Sequence, residues 1–133
     1  MSEPVVVERE ALEVQFVPST DEMGEIRRAW QELEAAVNME GRRFYGAYYP
    51  YEKEYRACVE VREGDQRVPS LATGTLPGGQ YLRTRLTGEP PDVYDQIRPT
   101  FERLVKRAEP DPGRPSLEQY RRRDEIDLLL PIR

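Results

Sequence analysis

The sequence matches itself at a fixed offset, and this restricts the fold more than any single motif in it. Residues 25–33 read Glu-Ile-Arg-Arg-Ala-Trp-Gln-Glu-Leu and residues 96–104 read Gln-Ile-Arg-Pro-Thr-Phe-Glu-Arg-Leu, so Ile26, Trp30 and Leu33 align with Ile97, Phe101 and Leu104, each 71 residues on. The same offset lays Glu54–Val61 over Glu125–Ile132. Two segments in one order and one register point to a duplicated unit. The expected fold class is therefore α+β, with two strand-helix-strand-strand modules related by pseudo-twofold symmetry and a cleft between them. A 133-residue chain has the size of one such domain. We place module one at about 11–62 and module two at about 76–133.

Local patterns supply the elements. Leu12, Val14 and Phe16 alternate with Glu13 and Gln15, the period of a half-buried strand over 11–18. The corresponding strand is Gln80–Leu86, where Tyr81, Arg83 and Arg85 face one way and Leu82, Thr84 and Leu86 the other. Ser19, Thr20 and Asp21 offer capping oxygens to a helix of about 22–40, whose stripe is Ile26, Trp30, Leu33 and Val37 and whose stop is Gly41. In the second half Pro90-Pro91-Asp92 opens the helix of Tyr94, Ile97, Phe101, Leu104 and Ala108. Pro99 inside it predicts a kink or a start later than Asp92. Paired extended segments follow each helix, 43–49 with 54–62 and 116–121 with 124–132. The glycine- and proline-rich stretch 64–79 reads as a connection without sustained apolar periodicity.

Composition then removes whole classes of function. There is no histidine and one cysteine, Cys58, so His-based acid/base chemistry, catalytic triads and an internal disulfide are excluded. Cys58 aligns with Leu129 and reads as a small apolar strand residue. No metal and no cofactor is expected, and neither a phosphate-binding loop nor a dinucleotide fingerprint is present. The longest apolar run is Leu128–Leu130, far short of a membrane span. The acidic start Met1-Ser2-Glu3-Pro4 is unlike a secretory signal, so the expected compartment is the cytoplasm, without membrane association. A net charge of −5 and the lack of a recognition helix argue against direct nucleic-acid binding. Arg121-Arg122-Arg123 reads as a solvated turn.

The second half resembles the GyrI-like family, small-molecule-binding domains that also serve as effector-binding domains of multidrug regulators. The resemblance rests on Leu76-Pro-Gly-Gly-Gln-Tyr81, on Gly88 before the helix, on Ser116-Leu-Glu-Gln-Tyr120, and on Glu125-Ile-Asp-Leu-Leu-Leu-Pro-Ile132. It covers residues 74–133 well; over 11–62 it rests on element order and the Trp30 helix. It implies a ligand cleft between the modules, with the Glu of the Glu-x-Tyr segment, here Glu118, answering a polar or cationic ligand while aromatic rings stack on its body.

Glu118 and Tyr120 are two apart on a strand and share a face. Set among aromatic rings, the carboxyl would lose solvation and hold its proton to higher pH unless a donor or cation compensates. At an offset of 72, Tyr48 aligns with Tyr120, but Gly46 stands where Glu118 does, so only one half carries the acid. Tyrosines 45, 48, 49, 51 and 55 form the densest aromatic patch, and alternation separates Tyr45 and Tyr49 from Tyr48. Trp30 reads first as a core residue, with partial access to the cleft. The ligand-binding set is Glu118, Tyr120, Tyr48, Trp30, Tyr45 and Tyr81. The leading expectation is capture of small amphipathic, aromatic or cationic molecules. Its alternatives are hydrolysis of reactive toxic small molecules by Glu118 and Tyr120, and a role as an interaction protein with gyrase or a separate regulator as partner.

Overall fold

In a computed structural model describing residues 2–133, the chain forms one eight-stranded antiparallel sheet carrying two helices. The first half contributes β1 (Val5–Arg9), β2 (Leu12–Thr20), α1 (Met23–Ala36), β3 (Phe44–Tyr49) and β4 (Glu54–Glu60). The second contributes β5 (Ala72–Leu76), β6 (Gly79–Thr87), a 3₁₀ segment (Asp92–Gln96), α2 (Ile97–Leu104), β7 (Ser116–Arg122) and β8 (Glu125–Pro131). The strand order, β1-β6-β8-β7-β3-β4-β2-β5, reads the same from either end once each strand is exchanged for its repeat mate. Strand pairing confirms the duplication residue by residue: the pairs Tyr45–Cys58 and Gly46–Ala57 recur as Leu117–Leu129 and Glu118–Leu128.

Gly46 of β3 pairs directly with Glu118 of β7, and the same two positions are equivalent in the repeat. The pseudo-dyad therefore passes between them, and the acid and the glycine stand face to face on the axis.

The outermost strands depart from the sequence expectation. β1 precedes β2 but pairs only with β6, while β5 precedes β6 but pairs with β2, so each module lends an edge strand to the other. β5 also lies inside the stretch expected to be connection. Gln15, expected on a polar face, is buried because its amide bonds Gln66 O and Val68 N–H and ties that connection down.

Both sheet faces are buried. On one, Val14, Phe16, Tyr45, Cys58, Tyr81 and Leu129 pack together where the sheet curls, without help from a helix. On the other, α1 covers Val17, Phe44, Ala57 and Val59, and α2 with the 3₁₀ segment covers Leu82, Leu86, Ile126 and Leu128. Tyr120 packs against both helix-side clusters.

The helices are shorter than expected. Ser19 and Thr20 remain in β2, Glu22 occupies the N-cap without a side-chain bond, and Val37 turns extended after its N–H closes on Leu33 O. Gly41 takes its positive φ of 69° in the loop beyond. Pro99 sits in the first turn of α2, where its missing N–H would have no intrahelical partner, so the late start rather than a kink is realised. No helix among the described residues is long and apolar enough to cross a membrane.

Candidate functional site

The middle of the helix-bearing face, at the pseudo-dyad, holds a connected set of polar and aromatic groups. Glu118 and Tyr120 alternate with buried Leu117 and Gln119, so β7 presents the first two toward the helices and the second two away. Tyr120 Oη donates to Glu118 Oε1 at 2.6 Å, and Tyr55 Oη donates to the same oxygen at 2.9 Å. Trp30 Nε1–H in turn donates to Tyr55 Oη at 3.1 Å. The result is a relay of donors from α1 through β4 to a carboxylate on β7.

Gly46 makes this reach available. Tyr55 lies on β4 and Glu118 on β7, with β3 between them, and a Cβ at position 46 would collide with the Tyr55 hydroxyl and with Glu118 Oε1. Only a residue without a side chain leaves the phenol room to lie across β3. The glycine here serves close approach rather than an unusual backbone angle.

The electrostatics follow from this packing. Burial raises the Glu118 pKa above its ordinary 4.5, and the Tyr120 and Tyr55 hydrogen bonds pull it partly back. Both phenols are pushed well above 10.0, first by burial and then by the adjacent negative charge, so they act as fixed hydrogen-bond donors. No arginine or lysine among the described residues forms an ion pair with Glu118. Oε2 accepts no hydrogen bond from these residues, yet no buried side-chain polar atom among the described residues is left unpaired, so this oxygen touches solvent. Glu118 is thus a recessed acid with one oxygen clamped and the other open.

Aromatic rings border it. Trp30, half-buried, meets the Tyr120 ring edge-on at 5.3 Å between centroids and Phe44 at 6.5 Å. Tyr94, exposed on the 3₁₀ segment, stands edge-on to Tyr120 at 6.4 Å. Tyr120 borders a cavity of about 370 Å³, and a second of about 200 Å³ lies among Val37, Arg42, Val59 and Asp65; neither is lined by Glu118.

Of the six residues proposed from sequence, the structure brings Glu118, Tyr120 and Trp30 together. Tyr48 shares their sheet face, but its hydroxyl turns to Asp21 at 3.4 Å, away from the acid. Tyr45 and Tyr81 lie on the opposite face in the curled-sheet core, because strand alternation carries them there, so they cannot join Glu118. Tyr81 Oη donates to Pro77 O at 2.6 Å and serves that core. Tyr55 and Tyr94 are additions. The sequence marked Tyr55 only as a member of the tyrosine-rich patch and Tyr94 only by its place on a helical stripe.

Comparison with known proteins decides the family. Residues 9–132 match the family model for Cass2, described as integron-associated effector binding protein. The chain belongs to this family of effector binding proteins, a GyrI-like group, and small-molecule binding is its function class. A search of curated proteins gives no match. Among solved structures, an integron cassette protein from the mobile metagenome of Vibrio cholerae superposes with a TM-score of 0.81 at 18% identity, over 98% of this chain and 95% of that one. The protein SAV2435, solved bound to tetraphenylphosphonium, gives 0.69 at 15% identity over 99% and 94%. A protein described as a hydrolase from Listeria innocua gives 0.62 at 10% identity over 98% and 92%. At these identities the structural likenesses establish the shared fold.

Proposed function

We propose that this protein binds amphipathic aromatic cations at the pseudo-dyad, with Glu118 as counter-charge and Trp30, Tyr120 and Tyr94 as the surrounding rings. The observation that carries the reading is a recessed carboxylate with no cationic partner among the described residues and one oxygen open. A recessed carboxylate without a counter-cation is costly even when phenols donate to it, and a cation at its open oxygen would offset that cost. The rings add stacking and cation–π attraction of roughly 0.5–2 kcal/mol each. The likeness to a fold solved with tetraphenylphosphonium, a bulky aromatic cation, supports the same class of guest. Tyr94, on a short exposed segment, is the ring with least to lose by swinging aside to admit it.

The experiment is calorimetric titration of tetraphenylphosphonium and of a neutral aromatic of similar shape against the wild type and Glu118→Gln. The amide keeps the shape and removes the charge, so the cation should lose about 1–2 kcal/mol and the neutral guest almost nothing. Equal losses would make Glu118 a shaping residue, and no loss for either would move the site elsewhere.

A further inference from the structure

The larger cavity, about 370 Å³, is lined by Arg9, Arg42, Arg43, Arg121, Gln119 and Tyr120. Four guanidinium groups around one hollow is an unexpected grouping in a chain of net charge −5. It does not follow from the fold, since the repeat mates of Arg43 and Arg121 are Pro115 and Tyr49 at the other end of the β3–β7 ladder. Nearby acids do not neutralise it. Asp65 is engaged by both prongs of Arg42, and Glu125 by Arg121 at 3.2 Å, while Arg9 and Arg43 form no ion pair among the described residues. Two positive charges remain over.

Gln119 identifies the sign of what belongs there. It is only 6% exposed, and its Oε1 accepts a hydrogen bond from Arg9 Nη2 at 3.0 Å. Because a guanidinium can only donate, that bond fixes the amide's orientation and turns its NH₂ elsewhere. The NH₂ has no partner among the described residues, yet no buried polar atom is left unpaired, so it reaches the open space that Gln119 lines. The hollow therefore presents an amide NH₂ at its wall and guanidinium groups about it, those of Arg9 and Arg43 without a carboxylate partner among the described residues. This is the environment that oxygens of a phosphate or carboxylate fill, with planar N–H pairs matched to paired oxygens.

We infer that this cavity is a binding site for a small oxyanion-bearing molecule, a phosphate or carboxylate group held by Arg9, Arg43 and the Gln119 amide with Arg42 and Arg121 beside it. It is separate from the acid on the helix-bearing face and needs nothing from it, although Tyr120 borders both.

The test is calorimetric titration at low ionic strength, where exposed guanidinium charges are least screened, using inorganic phosphate and, separately, citrate. Saturable one-to-one binding of at least one is expected, and the pair tells phosphate from carboxylate preference. Arg43→Ala should weaken it about tenfold, the scale of one charge-assisted hydrogen bond. Gln119→Glu should abolish it, because the new carboxylate still accepts from Arg9 but places a negative charge in the hollow. Arg107→Ala, which removes an exposed arginine outside the cavity, should change nothing. The inference is overturned by a lack of saturable heat with both anions, by binding that survives Arg43→Ala and Gln119→Glu, or by an equal loss in Arg107→Ala.

Discussion

The two modules share a backbone plan and differ where they meet. Away from the axis, equivalent positions do equivalent work: Leu33 and Leu104 are almost wholly buried under their helices, and Ala29 and Thr100 are fully buried one turn earlier. At the axis the pairs diverge in chemistry. Gly46 faces Glu118, Tyr55 answers to apolar Ile126, Trp30 to Phe101, and Tyr48, turned to Asp21, answers to Tyr120, turned to the acid. The first three give one module a polar group that its mate lacks, and the fourth gives the two phenols different partners. A symmetric axis would set two carboxylates against each other at strand-pairing distance, where like charges repel. Replacing one by glycine removes the repulsion and opens the space that Tyr55 crosses. Duplication supplies the scaffold, and loss of symmetry at its centre supplies the site proposed above.

The strongest way to break this comparison is at the conserved part of the plan. Leu33→Ala and Leu104→Ala each remove a side chain with nearly no solvent exposure, and each should cost about 2–5 kcal/mol in denaturant unfolding. The prediction is that the two costs fall in the same range. A large loss for one and under about 0.5 kcal/mol for the other would mean that the helices do not carry equivalent cores.

A smaller effect is expected at the axis itself. Gly46→Ala places a methyl group against the Tyr55 hydroxyl and Glu118 Oε1, so one of them must move. We expect about 1–3 kcal/mol of destabilisation, typical of overpacking. Cation binding should fall with it, because the acid loses a phenol or its position. Unchanged stability and binding would show that Tyr55 need not lie across β3.

How much of this was legible in the sequence depended on whether contacts were local or crossed strands. The helical stripes and the offset at Trp30, Leu33, Phe101 and Leu104 are short-range patterns, and they located the helices and the duplication. β5, reading Ala-Thr-Gly-Thr-Leu, has no apolar period of its own and becomes a strand by pairing with β2 of the other module. The helix ends were overextended because Val37 and Asn38 leave the helix before Gly41 is reached. In the candidate site, Glu118 and Tyr120 came through the Glu-x-Tyr resemblance, and strand alternation set them on one face. Alternation also places Tyr45 on the far face, and that rule outweighs membership of a tyrosine-rich segment. Tyr55 escaped notice as a site residue because its contact spans two strand spacings, and no linear pattern encodes a side chain leaning over a glycine.

The finest test compares the two tyrosines that the repeat equates. Tyr48 Oη meets Asp21 at 3.4 Å on the exposed rim, whereas Tyr120 Oη donates to the recessed Glu118 at 2.6 Å. Tyr120→Phe should cost about 1.5–3 kcal/mol near neutral pH, the scale of a hydrogen bond to a charged group. Tyr48→Phe should stay within about 0.5 kcal/mol. Their pH dependence should differ as well. Glu118 has a folded-state pKa above its ordinary 4.5, so the folded protein holds its proton more tightly and this group's contribution to stability falls as pH rises from 4.5 through the folded value. The Tyr120 bond lowers that folded value, so its removal raises the pKa further and widens the window. The penalty of Tyr120→Phe should therefore be small below about pH 4, where the carboxyl is protonated in both states, and grow as pH rises. The penalty of Tyr48→Phe should show no such growth in that window. Urea unfolding of both variants from about pH 3 to about pH 8 measures this, and a Tyr120→Phe penalty independent of pH would mean that its hydroxyl does not stabilise the charged form of Glu118.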